Sequence, residues 1–271
     1  MADTSRQELI QKWDQDKLSR ASVVVVGCGI LSELVCAGLA GLGVGRITII
    51  GNGMRTLSFL DLEGGEDHVH EMRKTLARIN NDVNVVSLNA MANGAVLSLA
   101  KNPDLFIDLT NNLLTKKECL RMKKKVILAS TNKTQGVLSI NELTDIRCYE
   151  NERQGMIISE IMGGLVLDEM RKHFLPLPGD TPLLKPITHS IKGISGKKRR
   201  MKSVVVVGAG AINTFALLGL TELNIKKVTI MDNDSIEAHN LNRQILFYDC
   251  VGRSKCKVMA QRLRKITPDT K

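Results

Sequence analysis

The stretch Ser203-Val-Val-Val-Val-Gly208-Ala-Gly210-Ala211-Ile212 reads as a strand running into a glycine turn that opens a helix. Four successive valines suit a parallel strand covered on both faces. The turn leaves backbone N–H groups free at the start of the next helix, where the positive end of the dipole favours a phosphate. Asp232 ends the following strand, Val228 to Met231, where a ribose hydroxyl sits in nucleotide-binding α/β folds, about twenty residues on. A glycine turn and one acid form a weak signal. Asn240-Leu241-Asn242-Arg243-Gln244 begins eight residues past Asp232, and Lys255 follows. A dinucleotide fold has no need of such a cationic clamp.

The same pattern occurs earlier in the chain. Ser22-Val-Val-Val-Val-Gly27-Cys-Gly29-Ile-Leu31 repeats it, with glycines 27 and 208 separated by 181 positions. Arg46-Ile-Thr-Ile-Ile50 repeats Lys227-Val-Thr-Ile-Met231. The copies are unequally equipped. Gly51 stands where the second copy has Asp232, and Met54-Arg-Thr-Leu-Ser-Phe59 stands in the region of Asn-Leu-Asn-Arg-Gln. The plainer alternative is a pair of Rossmann units with drifted loops.

Four blocks of the second copy carry a resemblance: Gly208-Ala-Gly210-Ala211-Ile212, Asp232-Asn-Asp234-Ser-Ile236-Glu237, Asn240-Leu-Asn-Arg243-Gln244-Ile-Leu-Phe247 and Val251-Gly252-Arg-Ser-Lys255. Together they resemble the adenylation domain of the ThiF/MoeB and ubiquitin-activating-enzyme superfamily, and most of all the active half of ubiquitin-type activating enzymes. Asn213 departs from the usual glycine and is expected to crowd the helix against the strand; His239 departs from the usual serine. In the first copy, Asp108-Leu-Thr-Asn111-Asn112 aligns with the family's metal-binding motif, with Asn111 in place of its aspartate. A neutral amide is a poor substitute for a carboxylate in holding magnesium. Thr4-Ser5-Arg6-Gln7 and Gln15 to Ser22 resemble the family's N-terminal helix, whose arginine reaches into the partner's nucleotide site.

The resemblance implies two tandem Rossmann-like, doubly wound α/β domains forming a pseudo-dimer. An inactive adenylation domain spans 1–192, a basic linker 193–202, and the N-terminal part of an active domain 203–271. The implied chemistry is ATP-dependent adenylation of a protein carboxyl terminus, with ATP and Mg2+ as cofactors. The backbone of Gly208, Gly210, Ala211 and Ile212 would hold the nucleotide, and Asp232 the ribose, with Asp234 in its loop. Asn240, Arg243 and Lys255 would bind phosphates, Gln244 would support them, and Arg6 would close the site from the other half. Arg6, Arg243 and Lys255 are the candidate catalytic residues; no metal ligand is nominated. Each has a duller reading as a solvated or ion-paired side chain. Implied partners are a ubiquitin-like or sulfur-carrier protein ending in Gly-Gly, a conjugating enzyme, and the rest of the active domain if a separate chain supplies it. Two other classes stay open. One is a nicotinamide or flavin oxidoreductase, against which Asn240 to Gln244 argues; the other is a non-catalytic scaffold half completed by another chain.

Composition narrows the classes further. The 271 residues carry a net charge of +10 and only 3% aromatics. The positive residues fall in short runs, such as Lys123 to Lys125 and Lys197 to Arg200, without interleaved aromatics to stack bases, which argues against nucleic acid. No apolar run approaches the roughly 18 residues of a membrane span, and the start lacks a signal-peptide core. Six scattered cysteines form no C-x-x-C pair. They suggest a reducing, cytoplasmic compartment and no zinc site of the bacterial kind. Cys28 and Cys36 read as small buried apolar side chains, and His68 and His70 as surface residues.

The residue pattern predicts a helix over residues 1–20 bearing Arg6 and Trp13, then a strand 23–27, a helix 31–43 and a strand 46–50. A helix 70–80 is followed by strands at 83–86, 105–109, 126–129 and 137–140, and by a helix 156–173. The second copy predicts a strand, a helix 212–222, a strand, the Asn-Leu-Asn-Arg-Gln loop and a helix 255–266. A domain stopping at Lys271 is expected to leave a half-built sheet, as in a truncated or split gene product.

Overall fold

A computed structural model describes residues 3–53, 60, 67–150, 152–191, 202–223 and 225–268. Residues 193–201 of the linker expected at 193–202 and the Met54–Phe59 segment lie outside the described residues. In chain order the elements are α1 (Gln15–Arg20), β1 (Ser22–Val26), α2 (Ile30–Gly41), β2 (Arg46–Gly51), α3 (His68–Ile79), β3 (Asn84–Asn89), α4 (Gly94–Ser98), β4 (Leu105–Asp108), α5 (Leu113–Arg121) and β5 (Lys125–Thr131). There follow β6 (Gln135–Ile140), α6 (Met156–Phe174), β7 (Ile187–Ser190), β8 (Val204–Val207), α7 (Ala211–Leu220), β9 (Val228–Met231) and α8 (Lys255–Ile266).

The first copy builds a seven-stranded sheet in the order β3-β2-β1-β4-β5-β6-β7. The first five are parallel, and β6 and β7 add antiparallel edges. Strand side chains alternate between faces. Val23 and Val25 therefore meet the cluster of α2, α3 and α6, while Val24 and Val26 meet Leu97, Phe106, Cys119 and Leu128 beside α4 and α5. All four valines are buried, as a strand covered on both faces requires. The fold is mixed α/β and Rossmann-like, as the glycine turns predict.

The second copy repeats the first in detail. Val204 pairs with Val228 as Val23 pairs with Ile47, so the parallel register recurs at the same offset of 181. Its environment does not recur. Val205, Val207 and Met231 are 60%, 76% and 54% exposed, whereas their counterparts Val24, Val26 and Ile50 lie in a core cluster. Among the described residues nothing covers that face of β8 and β9 as α4 and α5 cover the first copy, and no strand extends β8 as β4 extends β1.

The copies pack closely. Asn242 O lies 2.7 Å from where a Cβ on Gly41 would sit, so glycine lets the C-terminal end of α2 touch the Asn-Leu-Asn-Arg-Gln loop backbone to backbone. Behind that loop, Leu241, Ile245, Leu246, Phe247 and Tyr248 are buried. Arg262 stacks over the Tyr248 ring at 4.1 Å and donates to Leu246 O and Tyr248 O. Glu222, from the turn after α7, accepts the N–H groups of Met156 and Ile157 (3.3 Å) and so caps α6 across the interface. Glu160, one turn into α6, faces that carboxylate, and its Oε1 is buried without a hydrogen-bond partner among the described residues. Burial, and then the Glu222 charge, push its pKa up to about 8.

Three expectations need correction. Residues 3–14 form turns and bends, and helix begins only at Gln15. Lys12 takes the left-handed conformation (φ 65°), and Gln7 and Gln15 both donate to Leu42 O. His68 is not a surface residue: it is buried with Nε2 3.1 Å from Glu33 Oε1. Asp67 caps this helix through the His70 N–H, so it starts two residues earlier than periodicity suggests and carries His68 inward. Helices α4 and α5 and strand β7 went unpredicted, being short and weakly periodic.

Two measurements follow. Val24→Ala should cost about 2 kcal/mol by chemical denaturation, and Val205→Ala less than about 0.5 kcal/mol. Equal losses would show that the second copy's valine face is covered. For Glu160, the unfolded chain releases the proton near its ordinary value of 4.5 and the folded chain holds it until about 8. Unfolding therefore releases a proton in that window, and stability falls as pH rises through it. The melting temperature should drop between pH 5 and pH 8 by more in wild type than in Glu160→Gln.

Candidate functional site

Gly208 opens the second turn with φ +91°, as Gly27 opens the first with φ +128°. That left-handed backbone strains any residue with a Cβ, which explains a glycine at both places. The turn is fastened by Asp232, whose Oδ2 accepts the Ala209 N–H and whose Oδ1 accepts the Asp234 N–H at 2.7 Å. Asp234 in turn pairs with Lys255, Oδ2 to Nζ at 2.7 Å. Lys255 N–H also reaches Asp234 O at 3.1 Å, so the start of α8 is laced to the exit of β9. The glycine turn, Asp232, Asp234 and Lys255 thus form one continuous network. Asn213, expected to crowd the turn, straps it by donating Nδ2 to Val207 O and Gly208 O, each at 2.9 Å.

Beyond the turn, the amide groups at the head of α7 are open. A Cβ placed on Gly210 would meet nothing within 4 Å, and Ile212 is 84% exposed. Among the described residues no side chain accepts from the Ala211 or Ile212 N–H. This is a cradle with room for a phosphate.

The Asn-Leu-Asn-Arg-Gln loop is ordered by its own side chains. Asn240 is buried, and its Oδ1 accepts the Glu237 N–H at 3.0 Å in a reciprocal cap. Gln244 is buried as well, with Oε1 unpartnered among the described residues. Arg243 donates to His239 O (2.9 Å) and Asn242 Oδ1 (2.8 Å). Arg6 and Arg243 line one groove of about 590 Å³, together with Trp13 and Leu167. The fold therefore brings the arginine of the N-terminal segment and the arginine of the second copy to a shared surface. The groove does not include the glycine turn, so the residues named from sequence form two neighbouring groups.

In the first copy, Asp108 is buried and contacts Lys116 Nζ at 3.4 Å. Burial lowers the Lys116 pKa, opposed by Asp108. Asn111 exchanges hydrogen bonds with the Thr131 backbone. Both motif positions hold β4 to β5 and α5. Among the described residues no group of three or more His, Cys, Asp or Glu side chains is placed to hold a metal ion, and no helix is long and apolar enough to cross a membrane. Sequence reasoning missed Glu222 and Gln154, which contact partners 66 and 123 positions away; no local motif announces them.

This arrangement, a parallel sheet with a glycine turn opening a helix and an acid closing the next strand, defines a nucleotide-binding class of α/β protein. Residues 3–160 and 188–271 match the ThiF family, and the chain belongs to it. The chain is 28% identical over 174 residues to the molybdopterin-synthase adenylyltransferase of Salmonella typhimurium, covering 59% of this chain and 68% of that protein. It is 29% identical over 147 residues to the adenylyltransferase and sulfurtransferase MOCS3 of Aedes aegypti, covering 50% of this chain and 34% of that protein. Over 79 residues it is 43% identical to human ubiquitin-like modifier-activating enzyme 7, covering 27% of this chain and 8% of that enzyme. The chain thus spans only part of these relatives. The crystal structure of Escherichia coli MccB shares the fold, with a TM-score of 0.56 at 18% identity over 66% of this chain and 62% of that one.

Asp232→Asn should lower stability by about 1–3 kcal/mol, because it weakens the acceptor of two backbone N–H groups. The amide signals of Ala209 and Asp234 should shift together in the NMR spectrum. A change confined to one of them would break the proposed continuity of the network.

Proposed function

We propose that this chain is the nucleotide-binding part of an enzyme that activates a protein carboxyl terminus with ATP. The single observation that carries the reading is the open cradle at Gly210 to Ile212, fastened by Asp232 at the ribose position. Its partner is a ubiquitin-like or sulfur-carrier protein, a class supported by the names of the relatives. A carboxylate oxygen of that protein attacks the α-phosphorus of ATP; the bond to the bridging oxygen breaks, and pyrophosphate leaves with its electron pair. The product is an acyl-adenylate. Such chemistry depends on positioning and charge neutralisation.

In this reading the backbone N–H groups of Ala211 and Ile212 hold a phosphate. Asp232 accepts from the ribose hydroxyls while keeping the turn closed. Arg243 exchanges its present carbonyl partners for phosphate oxygens, and Arg6 meets the same charge from across the groove. Lys255 adds a cation held ready by Asp234. Asn240 and Gln244 act by shaping the loop. Magnesium would neutralise phosphate charge when bound, held mainly by the phosphates themselves and at most one or two carboxylates. The tandem organisation, with an inactive domain at 1–192, a linker at 193–202 and an active domain from 203, belongs to the same proposal.

A second reading is supported by the uncovered valine face of β8: the chain acts as a scaffold half whose site another polypeptide completes. Pyrophosphate exchange in the presence of a candidate modifier tests both readings. Exchange by this chain alone supports the first, and exchange only on adding a second chain supports the second. In the active enzyme, Arg243→Ala should cost on the order of 2–4 kcal/mol of transition-state stabilisation, and Asp232→Ala should abolish exchange. Substitutions at Gly51 or Asn111 should change the rate less than about threefold, on the order of 0.7 kcal/mol. Full exchange in Arg243→Ala would remove the mechanism.

A further inference from the structure

Gly29 and Gly210 hold the same place in the two glycine turns, yet the space beside them differs. A Cβ on Gly210 would meet nothing within 4 Å, whereas one on Gly29 would lie 2.3 Å from Gln154 Oε1 and 3.0 Å from its Cδ. The same Oε1 accepts the N–H of Leu31, in the first turn of α2, at 3.1 Å. An uncharged side-chain oxygen thus sits where the helix start would otherwise offer its N–H to a phosphate oxygen.

We infer that Gln154 is a specificity-determining residue: it is the built-in occupant of the first glycine turn and confines phosphate-bearing ligands to the second. Three further features support this. Gln154 is held on its far side, because Gly155 N–H donates to Asn132 O at 3.0 Å and Glu222 caps the helix that begins at Met156. A tethered group competes with free ligand at a high effective concentration, so a dissolved anion displaces it only when the anion is abundant. The remaining cavity beside it, about 310 Å³, is lined by Asn52, Asn111 and Glu152 among others, with no lysine or arginine among the described residues. Glu152, the one charged lining residue among those described, repels an anion. Restoring an acid at Gly51 is opposed as well, since a Cβ there would come within 3.2 Å of Cys28 Cβ. The first turn has therefore changed task. It holds the entrance of α6, and α6 carries the second copy.

The inference rests on the proposed function only in taking the second turn as the phosphate site, and one titration separates the two. Inorganic pyrophosphate is added to the full chain while the backbone amide signals of Leu31 and Ile212 are followed by NMR. In wild type, Ile212 should shift and Leu31 should not. In Gln154→Ala, Leu31 should shift at pyrophosphate concentrations at least tenfold below any that move it in wild type. In Gln154→Glu, which keeps an acceptor oxygen in place, Leu31 should stay still. If Gln154→Ala fails to fold, Gln154→Asn, shorter by one methylene, is read in the same way. Leu31 shifting together with Ile212 in wild type would overturn the inference, as would a folded Gln154→Ala or Gln154→Asn whose Leu31 never responds. A silent Ile212 beside a responsive Leu31 in Gln154→Ala would sink the functional proposal and leave the role of Gln154 standing.

Discussion

A helix begins with backbone N–H groups that have no partner inside the helix, and three helix starts organise this molecule. At α2 the group is taken by Gln154, a side chain from the far end of the same domain. At α6 it is taken by Glu222, a side chain from the other copy. At α7 no described side chain takes it. The first arrangement ties the domain together, and the second ties the copies to each other. The third leaves a site for something from outside. The same physical requirement thus yields a core contact, an interface contact and a candidate ligand site.

The two copies show how little of a residue's role resides in its identity. Val23 to Val26 and Val204 to Val207 are the same four letters in the same parallel register. One run lies in a doubly covered core, and the other shows two of its side chains to solvent. Gly29 and Gly210 likewise carry the same dihedral freedom, but one faces an amide and the other open space. The acids differ too. Asp232 fastens a turn by accepting two backbone N–H groups, while Gly51 in the same place has nothing to accept with. Asymmetry between halves therefore arises from a few substitutions and from what packs against each turn.

Much of the fold was legible because parallel strands and glycine turns have a strong local signature. Valine runs, the glycine pairs and the 181-residue repeat placed β1, β2, β8 and β9 and the helices that follow the turns. The readings that failed depended on distant contacts. Residues 3–14 have a helical composition, but Gln7 and Gln15 bind the end of α2 and Lys12 adopts a left-handed turn. His68 carries no mark of burial in its neighbours; its pairing with Glu33 is made by helix packing. Of the candidate site, the turn, Asp232 and the arginine loop were readable from spacing. The pairing of Lys255 with Asp234 and the burial of Asn240 were not, because both depend on how the loop closes.

By itself the sequence determined the class of fold, the recurrence of the strand-and-glycine-turn pattern and which of the two turns is followed by an acid. These are carried by residue type at fixed local spacing, and strand and turn geometry converts spacing directly into position. Only the tertiary structure decided which glycine turn is free and that Arg6 shares a groove with Arg243. It also decided that a glutamate of one copy begins a helix of the other. The reason is distance along the chain: these contacts join residues tens to hundreds of positions apart, and no local preference records which distant side chain will fill a given space.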